Sequence, residues 1–308
     1  MPSRAFGLSP SHTLTYPAVV RVAFATCSWF PDGVEEEQPL AELIGAEFQR
    51  WDDPDVDWAR YDRVVIRSTW DYTLRFEEFL AWCRSVGPQR LRNPPELIAW
   101  NADKRYLAEL SCPTVPTVFL APGDPMPALD GTIVVKPNVS GGARDTGLFS
   151  PATHDLALEL IERIGADGRT ALVQPYMAAV AERGETALVF LGGELSHVLH
   201  KKAVLEPDEI APTVGDGGPA KAMLREDLVG PGECTAGQES LARAALAEVE
   251  GRFGPLLYAR VDLVDGPGGE PRLIELEAIE PRLYLHLAPG SAERLAAAIG
   301  RGDGVDRD

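Results

Sequence analysis

The sequence predicts a mixed fold, α/β joined to α+β, in three parts: a parallel βαβ unit, a central strand-and-loop unit and a C-terminal sheet unit. Three observations carry this. From Val20 to Val86, apolar β-branched runs ("VRVAFATC", "YDRVVIRST") alternate with segments of helical spacing ("PLAELIGAEFQRW", "FEEFLAWCRSV"). After the proline-rich "SCPTVPT" the order changes to strand, glycine-rich loop, helix, strand and hairpin. Two long apolar strands, "LLYARVDLV" and "PRLIELEAI", then flank the turn "DGPGGE".

Residues 1–19 lack the continuous apolar stretch of a signal peptide and read as a disordered extension, so the fold is expected to begin near Arg21. Residues 20–112 form the N-terminal unit. In it, Leu40, Leu43, Ile44 and Phe48 mark one face of a helix over 39–51, and "IAWNADKRYLAEL" reads as a helix capped near Asn101. Ligands of a parallel sheet lie beyond the carboxyl ends of its strands, which here carry "CSWFPDGVEEE" and "RSTWDYT". Residues 113–177 hold the strand "TIVVKP", the loop, the helix "HDLALELIERIG" and the strand "TALVQPYM". Residues 178–300 begin with a hairpin turning on Gly192-Gly193, continue with a strongly amphipathic helix, "QESLARAALAEVEGRFG", and end on the paired strands. The polar tail, 301–308, is expected to be mobile.

With 45% apolar and 25% charged residues the composition is that of an ordinary globular protein. A net charge of −18 argues against nucleic-acid or anionic-membrane partners, while leaving room for one anionic ligand in a local basic pocket. The four cysteines stand far apart, without a C-x-x-C pair, as expected of reduced thiols in a cytoplasmic protein. Cys27 lacks the spacing of a nucleophile. No apolar run reaches the roughly 18 residues that span a bilayer.

The chemistry is concentrated at strand ends. In "RLIELEAIE", alternation places Glu275 and Glu277 on one face and Ile274, Leu276 and Ala278 on the other. Arg260 and Asp262 share a face of the partner strand, with residue 262 expected roughly opposite 273. Three carboxylates, Asp262, Glu275 and Glu277, can then meet on one patch, either as an exposed charged surface or around a hard cation such as Mg2+. Upstream, Lys136 ends an apolar strand, and Ser140, Gly141 and Gly142 open a loop whose N–H groups can approach phosphate, in neither P-loop nor G-x-G-x-x-G order. Gln174, Pro175, Tyr176 and Met177 end a strand that can offer backbone groups to an adenine edge, with Glu182 or Glu185 near a ribose. Lys104, Lys136, the loop, Gln-Pro-Tyr, Lys201 and Lys202, Arg260-x-Asp262 and Glu275-x-Glu277 make an ordered series of cations followed by acids.

That series resembles the ATP-grasp superfamily, in its glutathione-synthetase-like carboxylate–amine ligases, from about Arg21 to the last helix. The resemblance implies an ATP-grasp fold: an N-terminal domain, a central lid domain and a C-terminal catalytic domain. It implies ATP and two Mg2+ ions as cofactors. Lys104 and Lys136 would contact the nucleotide phosphates, Gln174 to Met177 would form the adenine hinge, and Asp262 and Glu275 would bind metal. Glu277 stands where the family has Asn. Arg260, Lys201 and Lys202 would steady the transferring phosphoryl group. A homo-oligomer, dimer or tetramer, follows by analogy.

"RSTWDY", "NADKRYL", "KPNVSGGARDTG" and "IELEAIEPRLYL" together look like a narrower branch, the O-ureido-serine cyclo-ligases of cycloserine biosynthesis. That resemblance implies phosphorylation of a substrate carboxylate, attack by a nitrogen of the same amino-acid-like molecule, and closure of an isoxazolidinone ring. Arg67, Trp70, Asp71, Tyr72 and Arg282 are the candidates for holding this substrate, and Glu280 is a structural or substrate-side partner, for example of Arg282. An intermolecular amino-acid or peptide ligase and a nucleotide-binding module without turnover are the competing readings.

Overall fold

The computed structural model describes residues 20–205 and 225–301; the expected N-terminal extension and most of the expected tail lie outside the described residues. The chain runs through β1 (Val22–Thr26), α1 (Gln38–Ile44), β2 (Glu47–Arg50), β3 (Arg63–Ile66), α2 (Phe76–Val86), β4 (Leu91–Arg92) and α3 (Pro95–Asn101). These strands make a parallel sheet in the order β2-β1-β3-β4. Its central strands, β1 and β3, are buried on both faces, as parallel sheets require. Ala23, Ala25, Val64 and Ile66 pack with Phe79, Trp82 and Val86 of α2. Val22, Phe24 and Val65 pack the other way, on Leu40 of α1 and on C-terminal residues.

The helix expected over 39–51 stops early. Gly45 adopts a left-handed backbone (φ 65°) and caps α1, and Glu47–Arg50 becomes an extra parallel strand beside β1. Phe48 therefore sits on a strand. The cap expected near Asn101 also moves: Asp103 accepts from the backbone N–H of Arg105 and starts a separate 3-10 turn, Lys104–Ala108. Asn101 has a different task, described below.

The central sheet is formed by β5 (Val118–Leu120), β6 (Ile133–Pro137), β7 (Gly147–Phe149) and, after α4 (His154–Ala166), β8 (Ala171–Pro175), in the order β5-β8-β6-β7. Leu160, Ile161 and Ile164 of α4 cover its outer face. After α5 (Ala179–Arg183) come β9 (Glu185–Leu191), β10 (Glu194–Lys201), β11 (Val229–Pro231), α6 (Ala236–Phe253), β12 (Tyr258–Asp265), β13 (Pro271–Glu277) and α7 (Ser291–Gly300). The hairpin turns on Gly192 and Gly193, both at positive φ (59° and 83°), as expected. The third sheet has the order β11-β10-β9-β12-β13. The buried stripe of α6, Leu241, Ala242, Ala245, Leu246 and Val249, covers one face; it is thin and alanine-rich rather than strongly apolar. No helix among the described residues is long and apolar enough to cross a membrane.

The register of the last pair differs from expectation. Asp262 lies opposite Glu275 and Arg260 opposite Glu277, with a bulge before Leu263, which pairs with Leu273. Ile274 is the extra residue of that bulge, so it leaves the core side and joins Glu275 on the open face. Leu273 and Leu276 remain in the core.

Strand β13 is the edge of its sheet, yet its outer backbone is not free. Leu273 N–H donates to Pro113 O, and Val115 N–H donates to Leu273 O, both at 2.9 Å. The Tyr106 hydroxyl accepts from Leu276 N–H (2.7 Å) and donates to Leu276 O (2.9 Å). Asn101 donates to Leu276 O and accepts from Ala278 N–H, each at 2.8 Å. Asn93 donates to Ala278 O (2.8 Å) and Tyr258 O (3.0 Å) and accepts from Leu257 N–H (2.7 Å). Truncating Asn93 orphans buried groups at a cost of about 1–3 kcal/mol each. Asn93→Ala should therefore lower the urea midpoint by the equivalent of about 2–4 kcal/mol with an unchanged m-value. An unaltered midpoint would show that these bonds hold nothing together.

Candidate active site

The inner face of the central sheet meets the open face of β12 and β13 across a cavity of about 320 Å³. Alternation along β6 builds its roof: Val135 enters the core under α4, while Val134 and Lys136 line the cavity. Leu148 of β7 joins them, and Val115, Met177, Val180 and Ile274 complete an apolar end. Pro175 and Tyr176 also line this end. The Gln174 side chain is engaged elsewhere, donating to Thr117 Oγ1 at 2.8 Å.

The charged end comes next. Lys104 Nζ donates to Ser140 O (2.7 Å) and lies 3.2 Å from Glu275 Oε1, so it ties the glycine-rich loop to the acid strand. Gly141 and Gly142 line the cavity beside Ser140. The loop carries left-handed backbone at Gly142 (φ 61°), Ala143 (φ 60°) and Asp145 (φ 53°); the last two are strained, and Asp145 is anchored by Arg169 at 2.8 Å. Burial presses Lys136 below its ordinary pKa against the pull of Glu275, with Lys104 adding to the depression.

Asp262 is fully buried beneath the cavity wall, held by Arg260 (2.8 Å) and Lys201 (2.5 Å). Burial alone would raise its pKa, but the two cations outweigh it and hold the carboxyl far below the usual range. Lys201 also bridges to Glu185, its cross-strand neighbour, at 2.9 Å. Burial opposes the charge on Lys201, yet Asp262 and Glu185 hold its pKa above the ordinary value. Glu275 is likewise kept ionised: Lys104 and Lys136 overcome the effect of burial. Glu277 is bonded by Arg260, but burial together with Glu275 and Asp262 pushes its pKa up to about 7. Four acids, Asp262, Glu275, Glu277 and Glu185, thus stand beside four cations, Lys104, Lys136, Lys201 and Arg260.

Among the described residues, no three acidic, histidine or cysteine side chains converge closely enough to hold a metal ion as placed. Lys104, Lys201 and Arg260 meet the acids instead. The donor set nevertheless fits Mg2+: hard carboxylate oxygens, with Glu275 and Glu277 each about a quarter exposed, at 27% and 29% of their side chains.

Besides Asp262, which lies beneath the wall, four expected site residues do not reach the cavity. Arg67 is buried against Glu37 (3.2 Å), a pair no local pattern announces, and also donates to Pro281 O. Asp71 turns inward to accept from Trp51 Nε1 at 2.8 Å. Lys202, one residue out of phase with Lys201, points its ammonium toward Asp227 O at 3.4 Å. Glu182 is exposed beside Arg183. Trp70, Tyr72 and Arg282 do line the cavity, in an outer chamber with Ile279, Glu280 and Tyr284. All four cysteines are free, and burial with Asp71 nearby pushes the Cys27 thiol up to about 11. The cavity residues that sequence reasoning missed divide by cause. Val134 was readable as the same-face neighbour of Lys136, whereas Asn101, Val115 and Ile274 arrive through tertiary contacts and the bulge.

Comparison with known proteins shows which family the chain belongs to. The chain is 36% identical over 275 residues to the "Cycloserine biosynthesis protein DcsG" of Streptomyces lavendulae, an alignment covering 83% of this chain and 88% of that protein. The chain belongs to the D-cycloserine synthetase family. The family described as "D-cycloserine synthetase DcsG, N-terminal domain" matches residues 22–93. The crystal structure of D-cycloserine synthetase DcsG superposes with a TM-score of 0.78 at 33% identity, covering 90% of this chain and 98% of that one. More distant likenesses show the ATP-grasp fold. A D-alanine–D-alanine ligase from Bacillus anthracis complexed with ATP has a TM-score of 0.59 at 13% identity, covering 91% of this chain and 96% of that one. A RimK-domain ATP-grasp protein from Sphaerobacter thermophilus has a TM-score of 0.58 at 17% identity, covering 91% and 98%. As a D-cycloserine synthetase family member, the chain is an ATP-dependent ligase.

The inward turn of Asp71 has a measurable consequence. Burial, with Asp52 nearby, raises its pKa from 3.8 to about 6 despite the Trp51 hydrogen bond. Below 3.8 the carboxyl is neutral in both folded and unfolded chains; above about 6 the folded state carries the penalty of a buried charge. Relative to Asp71→Asn, the wild type should therefore lose stability between those values and run parallel above them, in denaturant melts across pH. Parallel profiles throughout would contradict the placement.

Proposed function

We propose that this ligase closes the isoxazolidinone ring of D-cycloserine from O-ureido-D-serine. The strongest support is the likeness, along nearly the whole chain, to a cycloserine biosynthesis protein and to the structure of D-cycloserine synthetase. The cavity chemistry agrees with it. ATP transfers its terminal phosphoryl group to the substrate carboxylate, so that a poor leaving oxygen becomes phosphate. The oxygen-linked ureido nitrogen then attacks the acyl carbon. A carbon–nitrogen bond forms, the bond from carbon to the phosphate oxygen breaks, and hydrolytic loss of the carbamoyl group as carbon dioxide and ammonia completes the product.

The chain positions and neutralises; it need supply no nucleophile. Val134, Leu148, Met177 and Ile274 would enclose the adenine, with Pro175 and Tyr176 at its edge. Lys104, Lys136 and the Ser140–Gly142 loop would hold the phosphates. Arg260 and Lys201, fixed by Asp262, would meet the charge on the transferring group. Mg2+ on Glu275 and Glu277, with Asp262 beneath, would supply further neutralisation of the triphosphate. Trp70, Tyr72 and Arg282 would enclose the folded substrate and exclude water.

Incubation of the protein with ATP, Mg2+ and O-ureido-D-serine should release ADP and a product with the mass of cycloserine. ADP appearing only after an external amine is added would mean an intermolecular ligase, and no ADP with any amino acid would mean a nucleotide-binding module. The two adjacent lysines give a sharper test of the site. Lys201→Met should lower kcat by about 100-fold or more, the loss seen when a transition-state donor is removed, while Lys202→Met changes it by less than about threefold. Equal effects would refute the assignment of Lys201. Glu275→Gln should abolish turnover with the fold intact by circular dichroism.

A further inference from the structure

The outer chamber holds two charged side chains in unlike circumstances. Arg282 is engaged by Glu36, through Nε at 3.2 Å and Nη2 at 2.9 Å, and lies over the Tyr284 ring at 4.7 Å. Glu280 has no ion-pair partner among the described residues, whereas Asp262, Glu275 and Glu277 each have one. The neutral Tyr72 hydroxyl lies beside its side chain. Glu280 is therefore the carboxyl group of the cavity that still lacks a cation.

Its frame is fixed residue by residue. Ala278 N–H donates to Asn101 (2.8 Å), the Tyr258 hydroxyl reaches Ile279 O (2.7 Å), and Trp70 Nε1 donates to Glu280 O (3.2 Å). Burial, with Glu277 nearby, pushes the Glu280 carboxyl up to about 8, and a cation beside it would hold it ionised. On so constrained a backbone little ordering is left to do when such a ligand arrives. Glu280 lines the same cavity as Lys104, Lys136, Lys201 and Arg260.

We propose that Glu280 is the anchor for the α-ammonium group of the substrate and selects α-amino acids over their des-amino counterparts. This rests on the ring-closure reading above, which supplies a substrate with an ammonium on the carbon beside the reacting carboxylate. With its carboxylate drawn to Arg260 and Lys201, such a molecule presents its ammonium to the outer chamber, where Glu280 is the carboxyl group without a cation. An ammonium in a partly desolvated cavity needs such a partner. The contact survives ring closure, because the carbon bearing the ammonium becomes a ring atom and its nitrogen takes no part in the new bond. A nitrogen held protonated is also no nucleophile, which leaves the ureido nitrogen as the attacker.

The test compares O-ureido-D-serine with 3-(ureidooxy)propanoic acid, the same molecule without its amino group. Both are measured in steady-state turnover and by calorimetric binding in the presence of Mg2+ and a non-hydrolysable ATP analogue. Wild-type protein should favour the amino compound by about 10- to 100-fold, the range for a charged hydrogen bond. Glu280→Gln should raise the KM and Kd of the amino compound by a similar factor, reduce the preference to less than about threefold, and leave the KM for ATP within about threefold. A preserved preference overturns the proposal, as does a fall in kcat at unchanged KM, which would instead make Glu280 the acceptor of the ureido proton. Equal binding of the two compounds, or of neither, to wild type also overturns it. If wild type makes no ADP from O-ureido-D-serine, the ring-closure reading fails, while the binding preference still decides the role of Glu280. Should the Gln variant not fold, Glu280→Asp is measured in its place and should show an intermediate preference.

Discussion

The outer edge of β13 is closed by side chains instead of a strand, and the rest of the site depends on that closure. An edge strand ordinarily presents unpaired N–H and C=O groups to water or to another chain. Here a tyrosine hydroxyl and two asparagine amides from the N-terminal unit take those groups, and the 113–115 segment takes the remainder. The strand that carries Glu275 and Glu277 is thereby held from both sides: by β12 through the ladder, and by α3 and the turn after it through Asn101 and Tyr106. A shift of one residue would move every side chain of β13 to the wrong face. The clamp fixes the register, and its bulge turns Ile274 toward the cavity and places Glu275 opposite Asp262.

The second constraint is electrostatic. A chain with a net charge of −18 has to bind a polyanion, and it does so by local organisation. Lys104, Lys136, Lys201 and Arg260 are gathered around one cavity, and Lys104, Lys201 and Arg260 have acids as direct partners. The acids keep the cations charged in a desolvated site, as the raised pKa values of Lys201 and Arg260 show. The cations in turn hold Asp262 and Glu275 ionised. Only Lys136, with burial outweighing its distant acids, is pressed the other way. The arrangement is poised for ligands of both signs, a triphosphate toward the lysines and cations toward the acids.

Much of this was legible in the chain, and what was not has physical reasons. Hydrophobic alternation gave β1, β3 and β6, the glycine pair gave the β9–β10 turn, and parity placed Glu275 and Glu277 together. Local pattern overran Gly45, because Leu40, Leu43, Ile44 and Phe48 fit a helical period even though the chain leaves the helix at that glycine. The bulge at Ile274 has no sequence signature, so the expected pairing of 262 with 273 slipped. Arg67 and Asp71 looked like substrate contacts beside Trp70 and Tyr72, but their partners Glu37 and Trp51 lie 30 and 20 residues away and draw them into the core. Lys201 and Lys202 were separable only by the strand register that puts Lys201 opposite Glu185.

The edge closure itself is open to direct measurement through amide hydrogen exchange at Leu276 and Ala278, whose N–H groups point away from β12 and toward Tyr106 and Asn101. Buried, bonded amides exchange only on sub-global or global opening, whereas free edge amides exchange almost without protection. The account predicts that both amides are protected as strongly as those in the middle of β12, and that Tyr106→Phe speeds exchange at Leu276 by about tenfold or more. Exchange of Leu276 and Ala278 at the rate of an exposed edge would contradict it.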